Sequence, residues 1–371
     1  MDDLSVTVLP REKRSSAREA WLHLERQVVD VGLACSWDWT DVWLDHFGDI
    51  VEHDFAVVRQ GGVPCGVLLL TRGVGRKRSR IPVNTLHFGT AGEPRSDSIY
   101  VEYNRVLTVP EMRHATAQAV LSAVEQDDSW DELWLDGFAP DEAEPFLAAD
   151  PELKPRFEPC PTVDLQVAKR WDGQVLSILT SNTRYQVRRS IRAFGDVQGE
   201  WAETTDKAVE ILNELIRLHQ KRWSDARRPG AFASERVVEY HRALVKRLFP
   251  KGAILLYRVR SPVGTIGCLY SFIERNNVLS YQLGLARFHD NKMKPGFVTH
   301  ALCMQSSYDR GLIDYNFLAE ASPWKRELAT TERQLVWATG SRRRMKIALA
   351  DALRGGKRIV NRIRRVGMPK T

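Results

Sequence analysis

Apolar positions along the chain recur with two periods, and the points where the period changes mark out its elements. Residues 278–285 alternate through Leu279, Tyr281, Leu283 and Leu285, the period of a half-buried strand. From Phe297 the spacing turns helical, through Ala301, Met304 and Tyr308, until Gly311 stops it, and a second strand follows over 312–318. The loop between strand and helix carries Lys292 and Lys294 ahead of Pro295 and Gly296. The first N–H groups of a helix have no helical partner, so such a junction attracts an anion, and the two lysines add charge to it.

The same reading covers the rest of the chain. Helical spacing predicts helices over 15–33 and 36–47, and the turn QGGVP joins strands over 55–59 and 65–72 as a hairpin. A helix over 110–124 and a strand over 130–135 follow, and the proline-rich run 140–161 reads as a linker or loop near which a first domain ends. Beyond it come a strand over 162–167, a helix capped by Ser181 or Asn182 and closed by Gly195, and a helix opening at Asp206 and ending in LHQKRW. A helix over 232–249, capped by Ser234, leads to strands over 253–259 and 265–274 joined by RSPV. Helices, hairpin and a later strand–helix–strand thus occur twice, at a spacing of roughly 200 residues. The prediction is an α/β (α+β) protein of two tandem units, each a mixed, mostly antiparallel sheet flanked by helices. The expected bounds are 1–161 and 162–340, with a tail over 341–371.

Charge changes the picture at one end only. Eleven Lys and Arg stand against Asp351 in residues 342–371, a net +10, so the preceding 341 residues sum to −3 of the total +7. Met345, Leu349, Ala352, Leu353, Ile359, Ile363 and Val366 lie among those basic residues at helical intervals, with Gly355-Gly356 dividing them. That pattern suits a helix on an anionic membrane surface, with a solubilising tail or a nucleic-acid contact as alternatives and nucleic acid the less favoured partner. The five cysteines are scattered, without a CxxC pair or clustered histidines, which speaks against a metal site and fits a reducing, cytoplasmic setting. No apolar run approaches the length that spans a bilayer, so the expectation is a cytoplasmic protein, peripheral on the inner face of the cytoplasmic membrane if the tail binds there.

Two further groups of side chains carry both a bland and a chemical reading. Arg184, Arg188 and Arg192 share one helix face, which is either solvated or able to hold a phosphate or carboxylate. His219 lies on an apolar face, as a hydrogen-bonded core histidine does.

From about 164 to 338 the chain resembles the acetyltransferase-like domain of the CelD and FemAB-like branch of the GNAT superfamily. The matching pieces are SNTRYQVRRSIR, LHQKRW, LLYRVRSPVGTIGCLY, Pro295-Gly296 and YNFLAEASPWKRELA, in that order. The resemblance implies tandem GNAT-like folds, acyl-CoA as co-substrate without a metal, and direct attack of an amine on the thioester. It implies donor binding by Lys292, Lys294, Pro295, Gly296 and Lys325, and acceptor contacts from Arg184, Arg188, His219 and Arg222; for catalysis the candidates are His300 on the helix and Glu320 just past the second strand, the latter read equally as a solvated loop-end carboxylate. The acceptor would be an amine of a lipid or an envelope-polysaccharide precursor. A FemAB-like ligase fed by aminoacyl-tRNA and a non-catalytic accessory protein of exopolysaccharide synthesis are the alternatives. Three departures limit the transfer: Lys294 stands where many relatives have Ser, Glu320 where Gly is common, and Trp324 where a Tyr precedes the Lys.

Overall fold

The computed structural model describes residues 4–354. Its internal contacts group residues 4–40, 47–156 and 336–354 into one unit and residues 41–46 and 157–335 into another. In the first, β1 (Leu4–Pro10), β2 (His53–Gln60), β3 (Val63–Arg72) and β4 (Thr85–Phe88) run antiparallel in succession. β4 then pairs in parallel with β5 (Glu132–Phe138), and β5 pairs antiparallel with the end of β12 (Thr331–Ser341). Strands of two residues are left without a label.

The second unit repeats that order. β7 (Gln198–Trp201), β8 (Ile254–Ser261), β9 (Gly264–Glu274) and β10 (Asn277–Leu285) are antiparallel, β10 pairs in parallel with β11 (Asp314–Asn316), and β11 pairs antiparallel with β6 (Lys154–Asp164). Each sheet is therefore mixed, and each takes its sixth strand from the other half of the sequence. That exchange is why the units differ from the bounds 161 and 340 read from the sequence: β12 carries residues 336–341 into the first sheet.

The helices expected over 15–33 and 36–47 are α1 (Arg14–Gln27) and α2 (Trp37–Phe47). α3 (Arg113–Glu125) and α4 (Pro140–Ala149) follow. The proline-rich run is thus not a linker but a helix and a strand. Pro140 occupies the first helical position, where a missing N–H leaves no bond unmade. Pro155, Pro159 and Pro161 lie in β6 outside its pairing with β11, which takes in only Thr162, Val163 and Asp164.

α5 (Ser181–Phe194) is capped by Thr180, whose hydroxyl accepts from the Thr183 N–H, rather than by Ser181 or Asn182. α6 (Thr205–Asp225) is capped in the same way by Thr204, and α7 (Glu235–Leu248) follows Ser234, which makes no side-chain cap bond. α8 (Pro295–Asp309) buries Phe297, Val298, His300, Ala301, Cys303 and Met304, so it is wet on little of its circumference. Against the same core lie Leu255, Leu269, Val278, Tyr315 and Phe317. The strand expected over 312–318 is only the three residues of β11, and the short α9 (Pro323–Leu328) follows it.

Gly284 fixes how α6 meets the sheet. A Cβ there would stand 2.5 Å from the Leu215 carbonyl oxygen, so only glycine lets β10 and the α6 backbone approach this closely. Among the described residues no helix is long and apolar enough to cross a membrane.

Candidate active site

In the second unit β10 and β11 pair over three residues, Asn277 to Leu279 with Asp314 to Asn316, and β10 then runs on past β11, still paired with β9, to Leu285. Where it ends, a cleft of about 820 Å³ opens between the last turns of α6 and the first turn of α8. Leu218, Leu285, Phe288, Pro295 and Phe297 give it an apolar floor. Around the floor stand Arg217, Lys221, Arg222, Arg287 and Lys294, against the carboxylates of Glu214 and Asp225. Gly296 keeps the mouth open, because a Cβ there would lie 3.3 Å from Leu285 Cδ1.

The cations are held loosely. Arg217 lies 3.7 Å from Glu214, and Arg287 and Lys221 lie 3.5 and 4.0 Å from Asp225, distances that leave their charge available to an incoming anion. Lys294 donates to Gln186 Oε1, and its ammonium sits 5.1 Å over the Phe297 ring. Its backbone N–H donates to Ser190 Oγ at 3.1 Å, and Ser190 donates to the Lys292 carbonyl at 2.6 Å, which fixes the loop against α5.

Glu214 is held differently from the cations. Arg258, fully buried on β8, donates to Glu214 at 2.9 Å, Glu210 at 2.7 Å and Glu200 at 2.8 Å. Burial pushes the Glu214 carboxyl up, but hydrogen bonds from Thr265 and Arg258 outweigh it and hold the group below the ordinary carboxylate range. Glu214 is thus a fixed anion at one end of a mostly cationic cleft.

Of the residues read from sequence, Lys294, Pro295, Gly296 and Arg222 line the cleft, and the others do not. Lys292 is exposed beside it and contributes its backbone. Arg184 donates to the carbonyls of Ser177 and Leu179, closing the turn before α5, and Arg188 is exposed on that helix. His219 accepts from Trp223 Nε1 at 2.9 Å and meets Gln220 Oε1 at 3.1 Å, so both ring nitrogens are engaged and burial lowers its pKa. It is a hydrogen-bonded core histidine.

His300 lies in the second turn of α8 rather than the first, because the helix already starts at Pro295. Its Nδ1 meets the Tyr315 hydroxyl at 2.9 Å, its ring stacks on Trp324 at 5.2 Å, and its Nε2 is buried without a partner. Burial, with Lys325 nearby, lowers its pKa to about 3, so it is neutral at pH 7. Glu320 is exposed and adopts a left-handed backbone at φ 62°, as does Leu318 at φ 61°. Lys325 donates to the Ala319 carbonyl at 2.6 Å.

Sequence reasoning missed Arg217, Lys221 and Arg287. The signal was present for two of them: Arg217 and Lys221 are four apart on the predicted helix, on the side away from Leu212 and Leu215. Among the described residues no group of three or more His, Cys, Asp or Glu is placed to hold a metal ion, and all five cysteines are free and buried.

Residues 181–326 match the family model described as an acetyltransferase (GNAT) domain. No curated protein matches the chain in sequence. Among solved structures the chain is similar to FemX, with 10% identity, a TM-score of 0.56, and coverage of 87% of this chain and 95% of that one. It is also similar to the C-terminal domain of a protein from Agrobacterium fabrum provisionally described as a lysylphosphatidylglycerol synthetase (13% identity, TM-score 0.55, covering 91% and 96%). The L-PGS of Bacillus licheniformis matches at 11% identity and a TM-score of 0.50, covering 88% and 98%. At such identities these likenesses establish the fold. The family match assigns residues 181–326 to an acetyltransferase (GNAT) domain, and the fold of the chain is that shared with FemX.

Proposed function

We propose that this protein transfers an acyl group from a CoA thioester to an amine by direct attack. The observation that carries the reading is the cleft at the start of α8, ringed by five cations over an apolar floor. An extended donor with phosphates at one end and an apolar arm at the other suits that lining. The backbone N–H groups at the start of α8, with Lys294, Arg217 and Arg222, would hold the pyrophosphate. Leu285, Phe288 and Phe297 would take the arm.

In the reaction the free amine adds to the thioester carbonyl, the C–S bond breaks, and the thiolate leaves with the CoA. The nitrogen gives up one proton, which needs an acceptor. Glu320 is the candidate because it is exposed just past β11. His300, neutral and buried, would act by fixing Tyr315 and Trp324. The acceptor, on this reading, is an amine of a lipid or an envelope-polysaccharide precursor, met at the inner face of the cytoplasmic membrane, where residues 342–371 bring their net +10.

A second reading is an aminoacyl donor carried on tRNA. It is favoured by the likeness to the domain provisionally described as part of a lysylphosphatidylglycerol synthetase, whose name joins lysine to a lipid. Titration calorimetry with CoA and acyl-CoAs separates the two. Binding of CoA that weakens in Arg217→Ala and Arg222→Ala supports the first reading. Absence of binding by any CoA thioester, with turnover of aminoacyl-tRNA, establishes the second.

A further inference from the structure

Residues 345–354, the last of the described chain, are helical and dock on the first unit through the buried Ile347 and Ala350, with Lys346 and Asp351 pairing at the edges of that contact. Lys346 Nζ lies 2.5 Å and Arg344 Nη1 3.0 Å from the carboxylate of Asp131, which is fully buried. Asp351 accepts from Arg78 Nε at 2.7 Å. Just ahead, Arg342 donates to the Glu125 carbonyl at 2.6 Å and the Asp127 carbonyl at 2.8 Å, with its guanidinium 4.2 Å over the Trp130 ring. Ile347 and Ala350 are the apolar residues this docking buries.

The outward side is apolar. Met345, Leu349 and Leu353 stand one turn apart on a single stripe and are 91%, 57% and 47% exposed. Arg343 and Arg354 are exposed on the same short stretch. Three large apolar side chains exposed in one stripe form the kind of patch that marks an interaction surface. Charge decides the partner. Residues 342–371 carry a net +10, so a second copy meeting this face would bring the same charge against it. An anionic lipid surface accepts both parts: apolar side chains enter the acyl boundary, and each Lys or Arg near the headgroups adds about 1 kcal/mol.

We propose that the helix over 345–354 docks on an anionic bilayer through Met345, Leu349 and Leu353. This deepens the membrane-surface reading given above and rests on it. It is independent of the donor cleft, from which none of these residues is drawn.

The test is flotation of the full chain with vesicles of phosphatidylcholine alone and of phosphatidylcholine with phosphatidylglycerol, for the wild type and a Met345→Ser/Leu349→Ser/Leu353→Ser variant. The proposal expects partitioning on the anionic vesicles only, weakened by salt, and a loss of tenfold or more in the variant with circular dichroism and CoA calorimetry unchanged. Equal partitioning of variant and wild type would assign the effect to the basic residues alone and overturn the stripe's role. Failure of the wild type to float, or a dimer in ultracentrifugation that the variant abolishes, overturns it outright. Flotation without CoA binding removes only the donor reading, and CoA binding without flotation removes only the docking.

Discussion

The side-chain amide of Asn104 donates to the Phe88 carbonyl at 2.7 Å, across the opening where β4 and β5 part. Its backbone N–H donates to the Gly137 carbonyl at 3.0 Å and bridges to Phe138, so one residue spans both strands. Gly89 and Gly137 have positive φ, and a Cβ on either would collide with this segment at 2.7 and 2.5 Å. At the equivalent parting in the second unit, β10 runs on past β11, paired with β9, to the cleft. Calorimetry should therefore give one donor per chain. Two equal sites would contradict this. Asn104→Ala leaves a buried carbonyl unpaired and is expected to lower stability by about 1–3 kcal/mol in urea unfolding.

Replacing cleft cations should weaken donor binding in steps. A hydrogen bond to a charged group contributes about 1.5–3 kcal/mol, so Arg217→Ala or Arg222→Ala should raise Kd about tenfold or more each, with less effect at high salt. Arg184→Ala, which lies outside the cleft and bonds two carbonyls, should leave Kd unchanged and lower Tm. An equal effect on Kd would relocate the site.

His300 and His241 are both buried, and burial lowers the pKa of each from 6.5 to about 3. Beside His300 stand Lys325, Tyr315, Phe317 and Trp324, and beside His241 stand His46, Tyr240, Phe232, Tyr270 and Tyr281. Because the folded state binds the proton less well than the unfolded one, stability is complete above pH 6.5 and falls as pH drops toward 3. At pH 5 each contributes on the order of 2 kcal/mol of loss. Urea midpoints measured from pH 7.5 to 4.5 should fall, and His300→Phe should flatten the slope. A slope unchanged in that variant would remove His300 from the account.

The turn after β11 holds Leu318 and Glu320 in the left-handed region, and Lys325 binds its carbonyls. Glu320→Gly relieves one such residue and should raise stability by about 0.5–1 kcal/mol. If Glu320 also takes the amine proton, the same variant loses about 100-fold or more in kcat. A more stable enzyme with full turnover would end Glu320's candidacy as base. Lys325→Met should lower Tm with donor Kd unchanged, since its ammonium is spent on the turn.

Much of the fold was legible because its signals are local. Alternation gave both hairpins, and helical spacing with Pro295 and Gly311 gave most of α8. The prolines misled because a missing N–H is harmless at Pro140 and outside the pairing of β6 with β11, and periodicity does not show which bonds a backbone needs. The site was half legible: Lys294 to Gly296 stand together in sequence. Arg217, Lys221 and Arg287 join them only through the close approach of α6 to β10 at Gly284, a long-range contact that no local pattern carries. Lys325 looked chemical because it matches a family motif and Glu320 because it follows the second strand, whereas their surroundings give Glu320 an exposed turn and Lys325 a backbone tether. Of the tail reading, Ile359, Ile363 and Val366 lie outside the described residues, while Met345, Leu349 and Leu353 keep their expected stripe.

The exchanged sixth strands set an order on synthesis. β6 leaves the ribosome directly after β5 yet is used by the second sheet, and the first sheet waits for residues 336–341. The earlier-made half thus stays open along β5 until nearly the whole chain has emerged, so cutting the gene at 161 would leave the first fragment without residues 336–341, the strand that closes its sheet.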